Sequence, residues 1–347
     1  MIGKIFLAYL GLISVNQSFG YISDDDINIS ETCSINDVCT ETKSYTLIDN
    51  ALGKSVQNID LKEHVPQNVI DQIIADVQKH KLLIFKNQGS IPGKRQVAIG
   101  EWFGPTEKQT PKGHQHTKSP HKHVLRVSND IQEGNTKVGT AGYGWHIDGS
   151  YFKKPSSHGL YHIIECTSSG DTYFADLAKV IDGLDDKKKD FWYRLFWKSR
   201  RVGGFVHPLV YPHPLSGEPT MVFNLGMKRT NFVDLFVLDF GTPGEKVYSE
   251  QETDEIAKSI AEELDKYRVI ITLLIRLEEF GMMIDSFQYV HKWESGDLII
   301  TDNLAVAHMA SPGTQYNRAE VGLRVMHRVT VHGKYEPMHL KIPSKQK

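Results

Sequence analysis

The feature that most constrains this chain is the segment Gly144–Tyr151, in which a histidine and an aspartate stand two residues apart. On an extended strand, side chains two residues apart leave the same face, so His146 and Asp148 can point at one site while Ile147 points away. An imidazole and a carboxylate are part of the two-histidine, one-carboxylate site that leaves positions open on non-haem Fe(II). The segment predicts such a site if a second histidine arrives from another strand.

Candidates for the rest of the site lie near the end of the chain. His308 follows the strand-like segment Leu298–Asn303 and is our candidate third ligand. A later strand carries Arg324 and Arg328, whose spacing of four places them on one face. Guanidinium groups on an interior face need anionic partners, because uncompensated buried charge is costly. Ligand carboxylates would serve, and so would acidic side chains of a neighbouring strand.

Length and charge limit the classes of protein to consider. The chain has 347 residues, 40 basic and 42 acidic side chains and a net charge of −2. No sequence-wide positive charge favours nucleic acid or an anionic membrane, so we expect neither as a partner. The 40% hydrophobic content fits a globular protein, and we predict one domain over residues 45–340. Homo-oligomer formation is left open.

The N-terminal segment has the pattern of a secretory signal. Residues 1–20 combine one early lysine with a short apolar run that ends in small residues. This pattern favours a signal peptide, and a buried N-terminal strand or helix is the alternative. Residues 21–44 form a polar extension in which Cys33 and Cys39 could close a loop in an oxidising compartment. We therefore expect the secretory pathway or the extracellular space, with the cytoplasm as the alternative.

A polar stretch, Lys108–His123, carries four histidines: His114, His116, His121 and His123. No cysteine or fixed spacing supports a closed zinc site, so a solvated loop is favoured over a second metal site. A third interpretation is a lid over the substrate, since lids are commonly long and polar.

The order of predicted elements favours a mainly β fold with helical additions. The pattern predicts a helix after Pro66, a buried strand at Leu82–Phe85, and helical segments over Ala178–Trp197 and Ser249–Met283. Strands and helices do not alternate regularly, which disfavours a doubly wound sheet and favours a jelly roll.

Together the motifs resemble the TauD/TfdA family of Fe(II)- and 2-oxoglutarate-dependent dioxygenases. The likeness runs from about Leu82 to Val331 and keeps the family order. It comprises Leu83–Gln88, Trp145–Asp148, Ser169–Thr172, His207-Pro208 with His213-Pro214 and Gly217, Phe223-Asn224, Asp302–His308 and Arg324–Arg328.

The resemblance implies a double-stranded β-helix, a jelly roll of the clavaminate synthase-like type. It implies three Fe(II) ligands: His146, Asp148 and His308. It further implies that Arg324, helped by the Thr172 hydroxyl, holds the distal carboxylate of 2-oxoglutarate, and that Arg328 faces the acidic end of the primary substrate. Two aromatic residues, Trp145 and Tyr151, would either wall the substrate pocket or serve as ordinary core residues.

The activity that the resemblance implies is O2-dependent hydroxylation of a small acidic substrate, a sulfonate such as taurine or a relative. It is coupled to decarboxylation of 2-oxoglutarate to succinate and CO2. The same chemistry on an aryloxyalkanoate, another carboxylate or a purine is the alternative within this class. An alternative of another class is a secreted, non-catalytic jelly-roll module that keeps a metal for structure.

Overall fold

Short strands separated by helical insertions make up the chain in the computed structural model, which describes residues 45–109, 115–136, 144–199, 203–225, 234–266 and 288–339. The strands of these residues are β1 Thr46–Asp49, β2 Lys54–Gln57, β3 Leu82–Phe85, β4 Leu125–Ser128, β5 His158–Glu165, β6 Thr172–Asp176, β7 Leu195–Lys198, β8 Val206–Pro208, β9 Val210–Pro212, β10 Pro219–Met221, β11 Leu235–Leu238, β12 Lys246–Val247, β13 Gln288–His291, β14 Leu298–Asp302, β15 Val306–Ala310 and β16 Val325–Val331.

The helices of the described residues have recognisable ends. They are α1 Gln67–His80, α2 Gly93–Glu101, α3 Leu177–Asp182, α4 Asp186–Arg194, α5 Glu250–Asp265, a 3-10 turn at Pro312–Gln315, and α6 Arg318–Val321. Helix α5 begins at a capping box, in which the Ser249 side chain accepts from the Glu252 backbone and the Glu252 side chain accepts in return. Helix α1 ends at Lys81 in the left-handed conformation, a common way to stop a helix.

Two sheets carry the candidate site. The larger has seven strands in the order β1-β2-β3-β14-β5-β16-β4, and the smaller has three in the order β13-β6-β15. All the pairings in both are antiparallel except β2 with β3. Strands distant in sequence become neighbours in this order, which brings β5, β14 and β16 side by side.

The central strands of the larger sheet are buried on both faces. On β3, Leu83 and Phe85 pack in a core with helix α1, while Leu82 and Ile84 face a second core shared with Phe174 of the smaller sheet. This alternation follows the two-residue period of a strand. A third core, on the other face of the smaller sheet, includes residues of α3, α4 and α5. The site lies where the two sheets meet.

One helical prediction is wrong at its end, and another lies partly outside the described residues. The segment Leu195–Lys198 is a strand, not the end of a helix, because it pairs with both β11 and β8. The prediction over Ser249–Met283 is met by α5, while residues 267–287 lie outside the described part.

The N-terminal predictions also lie outside the described residues. They are the signal peptide, residues 1–20, and the polar extension, residues 21–44, with both of its cysteines. Within the described residues, no helix is both long and apolar enough to span a membrane.

Candidate functional site

Backbone pairing brings the two predicted histidine ligands together. The His146 amide donates to the His308 carbonyl at 3.1 Å, and the His308 amide donates to the His146 carbonyl at 3.0 Å. On the other side, the Ile147 amide donates to the Phe223 carbonyl. The ligand segment therefore forms an isolated antiparallel bridge to β15, and the directly opposed residues put the centroids of the two imidazole rings 4.2 Å apart.

Asp148 completes a buried triad. Its Oδ1 lies 3.8 Å from His146 Nε2, and its Oδ2 lies 3.9 Å from His308 Nε2. One ligand atom from each of the three residues lies within 4.8 Å of the others, and no other group of three potential metal-binding side chains meets this distance in the described ranges. The His146 Nδ1 is 2.7 Å from the Gly144 carbonyl, which fixes the proton on Nδ1 and leaves Nε2 with a free lone pair.

The electrostatics of the triad suit a divalent cation. Burial lowers the pKa of His146 and of His308, that of His308 to about 3, so both imidazoles are neutral at pH 7. Burial alone would raise the pKa of Asp148, but Arg328 and the two histidines hold it below its usual value. Two neutral nitrogens and one carboxylate are the donor set of a non-haem Fe(II) site with open positions. The residues therefore fit ferrous iron.

Asn303 holds the segment that carries Asp148. Its Oδ1 accepts from the Asp148 amide at 2.9 Å, and its Nδ2 donates to the Asp148 carbonyl at 2.9 Å and to the Ser156 carbonyl at 2.6 Å. The side chain is fully buried. The sequence motif Asp302-Asn303 was part of the resemblance, but no role was predicted for Asn303.

A cavity beside the triad contains the predicted 2-oxoglutarate residues. Its lining includes both histidines of the triad together with Thr172, Arg324 and Arg328. Arg324 is only 3% exposed, and burial lowers its pKa to about 10, which keeps it cationic at pH 7. Among the described residues no carboxylate forms an ion pair with it, although Asp171 lies near enough to oppose the shift of its pKa. Because an uncompensated buried charge is costly, a guanidinium with no such ion pair is suited to bind an anionic ligand.

Gly170 makes room for the Arg324 side chain. It has a φ of +101°, and a Cβ at this position would lie 2.9 Å from Arg324 Nε. Any larger residue would strain the backbone and push the guanidinium aside. The motif Ser169–Thr172 therefore contributes space as well as the Thr172 hydroxyl.

Trp293 and Tyr161 are site residues that the sequence analysis missed. The Trp293 indole nitrogen donates to Thr172 Oγ1 at 3.0 Å. The Tyr161 hydroxyl lies 3.3 Å from Asp148 Oδ2. The only sequence signal was the alternation of β5, which places Tyr161 on the same face as the inward-pointing Ile163.

The predicted substrate residues have different surroundings. Arg328 Nη1 donates to Asp148 Oδ1 at 2.8 Å, while its buried Nε has no hydrogen-bond partner within the described residues. Tyr151 is half-buried, packs on Phe152 with 4.5 Å between ring centroids and lies near Arg328, whose pKa is raised chiefly by Asp148. Trp145 does not line the cavity. It is fully buried in the third core and donates to Asp265 at 3.0 Å, which agrees with the second of its two predicted roles, that of a core aromatic.

The histidine-rich stretch forms no metal cluster in its described part. His116 contacts the Ile131 carbonyl at 3.2 Å, and His123 contacts the Thr106 hydroxyl at 2.7 Å. His114 lies outside the described residues. A role as a lid stays a prediction.

Comparison with known proteins gives distant relatives that align with most of the chain. The chain is 22% identical over 268 residues to pentalenolactone F synthase of Streptomyces arenae, an alignment that covers 74% of this chain and 86% of that protein. It is 21% identical over 311 residues to an alpha-ketoglutarate-dependent sulfate ester dioxygenase of Pseudomonas putida, with coverage of 81% and 87%.

Solved structures share the fold. A taurine dioxygenase from Burkholderia xenovorans superposes with a TM-score of 0.59 at 20% identity, covering 84% of this chain and 91% of that one. AAD-2, solved with Mn(II) and N-oxalylglycine, gives 0.59 at 18% identity, covering 85% and 100%. These likenesses confirm the predicted jelly-roll fold with helical additions.

The profile of one family matches most of the chain. It is described as taurine catabolism dioxygenase TauD, TfdA family, and it matches residues 44–330. Its members use Fe(II), 2-oxoglutarate and O2 on small molecules, which agrees with the triad and with the buried Arg324. The chain therefore belongs to the TauD/TfdA family and is a 2-oxoglutarate-dependent dioxygenase.

Proposed function

We propose that the protein hydroxylates a small acidic organic molecule, a sulfonate such as taurine or a relative of it. The supporting observation is Arg328, a half-buried cation beside the triad whose buried Nε–H has no partner within the described residues. A sulfonate or carboxylate can accept that hydrogen bond, and a charge-assisted bond of this kind is strong. The sulfate ester dioxygenase among the relatives is named for a substrate with a similar anionic end.

In this proposal the triad residues His146, Asp148 and His308 hold the iron, and Arg324 with Thr172 binds the distal carboxylate of 2-oxoglutarate. Arg324 supplies the charge, and Thr172 supplies a hydroxyl proton because its oxygen already accepts from Trp293. Ferrous iron with 2-oxoglutarate supplies the chemistry that places one oxygen atom of O2 on the substrate.

The remaining residues act by position. Arg328 lies next to Asp148, so an acid group bound to its Nε would stand a fixed distance from the triad. Holding the reacting C–H bond at a set place is worth large factors in rate. Buried side chains on paired strands are suited to this task because they move little.

The test is release of succinate from 2-oxoglutarate by the purified protein with Fe(II), ascorbate and a panel of candidates. The panel contains alkyl sulfonates, sulfate esters, carboxylates, aryloxyalkanoates and purines, and each acid is paired with its alcohol that lacks the acid group. We expect a sulfonate to stimulate succinate release and its paired alcohol to have no effect. His146→Ala and Asp148→Ala should abolish release, because each removes a metal ligand.

The matched control is His64→Ala, which removes an exposed histidine outside the site and should leave the rate unchanged. Release that survives both ligand substitutions would contradict the metal assignment. Equal stimulation by an acid and its paired alcohol would contradict the acidic substrate class and leave the dioxygenase activity in place.

A further inference from the structure

The Asp148 carboxylate has a hydrogen-bond donor at each of its two oxygens. Arg328 Nη1 donates to Oδ1 at 2.8 Å, and the Tyr161 hydroxyl donates to Oδ2 at 3.3 Å. The same hydroxyl lies 3.4 Å from His308 Nε2. One phenol oxygen therefore stands beside two of the three candidate ligand atoms.

The two donors are a cross-strand pair. Tyr161 on β5 and Arg328 on β16 are directly opposite each other in the antiparallel register, so their side chains leave the larger sheet on the same face. Tyr161 is 3% exposed, and its ring packs against His308 at 5.3 Å and Phe174 at 6.2 Å between centroids. The central strands of the sheet thus fix both donors with respect to Asp148.

A glycine sets the direction of the phenol. Gly159 lies two residues before Tyr161 on the same strand face, and a Cβ there would come within 2.6 Å of the Tyr161 hydroxyl oxygen. The Tyr161 ring can lean along the strand toward the triad only because that space is empty. Gly159 does not have a positive φ, so it serves here for space and not for backbone conformation.

The phenol has a single proton and three polar neighbours: Asp148 Oδ2, His308 Nε2 and the Thr301 hydroxyl. A tyrosine hydroxyl donates one hydrogen bond, and Asp148 is the only one of these neighbours that carries a negative charge. Once a metal ion takes the lone pair of Nε2, His308 no longer competes with Asp148 for the proton. Metal binding and the hydrogen bond from Tyr161 to Asp148 are then mutually supportive.

We propose that Tyr161 is a positioning residue of the metal site, which fixes the Asp148 carboxylate at Oδ2, the oxygen that Arg328 does not contact. This inference rests on the proposed assignment of the triad. Groups that orient metal ligands typically contribute 10- to 100-fold in metal affinity. Tyr161 acts through Asp148 and is not itself a ligand.

The experiment measures Mn(II) affinity of the metal-free full chain by the electron paramagnetic resonance signal of free Mn(II), which needs no turnover. We expect Tyr161→Phe to raise the Kd about ten-fold. The matched control is Tyr45→Phe, which also removes a phenol-to-aspartate hydrogen bond, to Asp76, but in the core around α1. Its Kd should equal that of the wild type.

A second variant keeps the phenol. Gly159→Ala should displace the Tyr161 hydroxyl and raise the Kd for Mn(II), and it should add little to the effect of Tyr161→Phe when the two are combined. This separates the position of the hydroxyl from its mere presence, and thermal melting of each metal-free variant verifies that it folds.

The outcomes are distinct. A Kd for Tyr161→Phe within three-fold of the wild type overturns the inference. So does a visible phenolate-to-iron absorption band in the wild-type Fe(III) form that Tyr161→Phe lacks, because Tyr161 would then be a ligand. Wild-type Mn(II) binding that is absent, or that His308→Ala leaves unchanged, overturns the triad itself and with it the proposed function.

Discussion

Thr172 illustrates how one neighbour decides what a side chain offers to a ligand. A hydroxyl can donate or accept, whereas an indole nitrogen can only donate. Because Trp293 donates to Thr172 Oγ1, the hydroxyl proton is directed elsewhere, and the cavity with Arg324 lies next to it. The Thr172 hydroxyl proton and the Arg324 guanidinium can therefore both donate to a bound molecule, which favours a carboxylate.

Trp293→Phe removes the indole N–H and keeps an aromatic ring. We expect the Kd of the Mn(II)-loaded protein for 2-oxoglutarate to rise about two- to ten-fold, because a hydrogen bond of this kind contributes about 0.5–1.5 kcal/mol. Isothermal titration calorimetry measures the change. Trp102→Phe, at a half-buried tryptophan in the core with α1, is the control and should have no effect.

The effect should pass through Thr172. In a Thr172→Val background, Trp293→Phe should have little further effect on the Kd for 2-oxoglutarate, since the hydroxyl that it orients is already gone. Fully additive effects of the two substitutions would contradict this role.

At the scale of elements, the connection between β14 and β15 does more than join two strands. Asn303 lies in it and makes three hydrogen bonds to backbone groups of Asp148 and Ser156. The strand that ends in Asp302 is thereby tied to residues that lie 147 and 155 positions before Asn303 in the chain. The placement of Asp148 thus depends on the larger sheet as well as on its own segment.

Asn303→Ala should lower the free energy of unfolding by about 3 kcal/mol or more. The reason is that buried backbone groups lose their partners, each at a cost of about 1–3 kcal/mol. Urea denaturation of the metal-free protein measures this. The control is Asn50→Ala, which removes one half-buried hydrogen bond to Ser55. It should lower the free energy of unfolding by about 1 kcal/mol or less, because a single hydrogen bond contributes about that much. Equal losses would contradict the role of Asn303.

The sequence predicted correctly those features that depend on strand periodicity, such as the face from which a side chain leaves a strand. The spacing of His146 and Asp148 predicts a shared face, and β3 was predicted with the bounds that the structure shows. Periodicity does not reveal how a ring turns within a core. Trp145 and Tyr161 are both buried aromatics, yet one donates to Asp265 in the third core and the other to Asp148 at the triad. That difference depends on the packing of strands distant in sequence.

At the scale of the whole molecule, buried histidines make stability depend on pH. Burial lowers the pKa of His308 and of His327 to about 3, and His327 accepts from Arg126 Nη1 at 2.8 Å. The unfolded chain takes up protons on these groups below about pH 6.5, while the folded chain does not until near pH 3. The stability that these two neutral histidines contribute is therefore fully present above about pH 6.5, and it is lost as the pH falls from 6.5 toward 3.

We expect the free energy of unfolding of the metal-free protein to fall between pH 7 and pH 5. Each such histidine contributes at most about 1.4 kcal/mol per pH unit. Urea titrations at several pH values measure the slope, and His327→Gln should reduce it because one of these groups is removed. A stability that stays constant or rises as the pH falls would contradict the assignment of neutral buried histidines.

The position of Arg324 and Thr172 has a consequence for the speed of the enzyme. In the proposed arrangement they grip the end of 2-oxoglutarate that the reaction leaves unaltered, and succinate keeps that same end. Succinate and 2-oxoglutarate thus compete for the same two residues. Tighter binding of the shared carboxylate would slow the release of succinate as much as it favours the binding of the next 2-oxoglutarate, so turnover limits how tightly these residues can bind it.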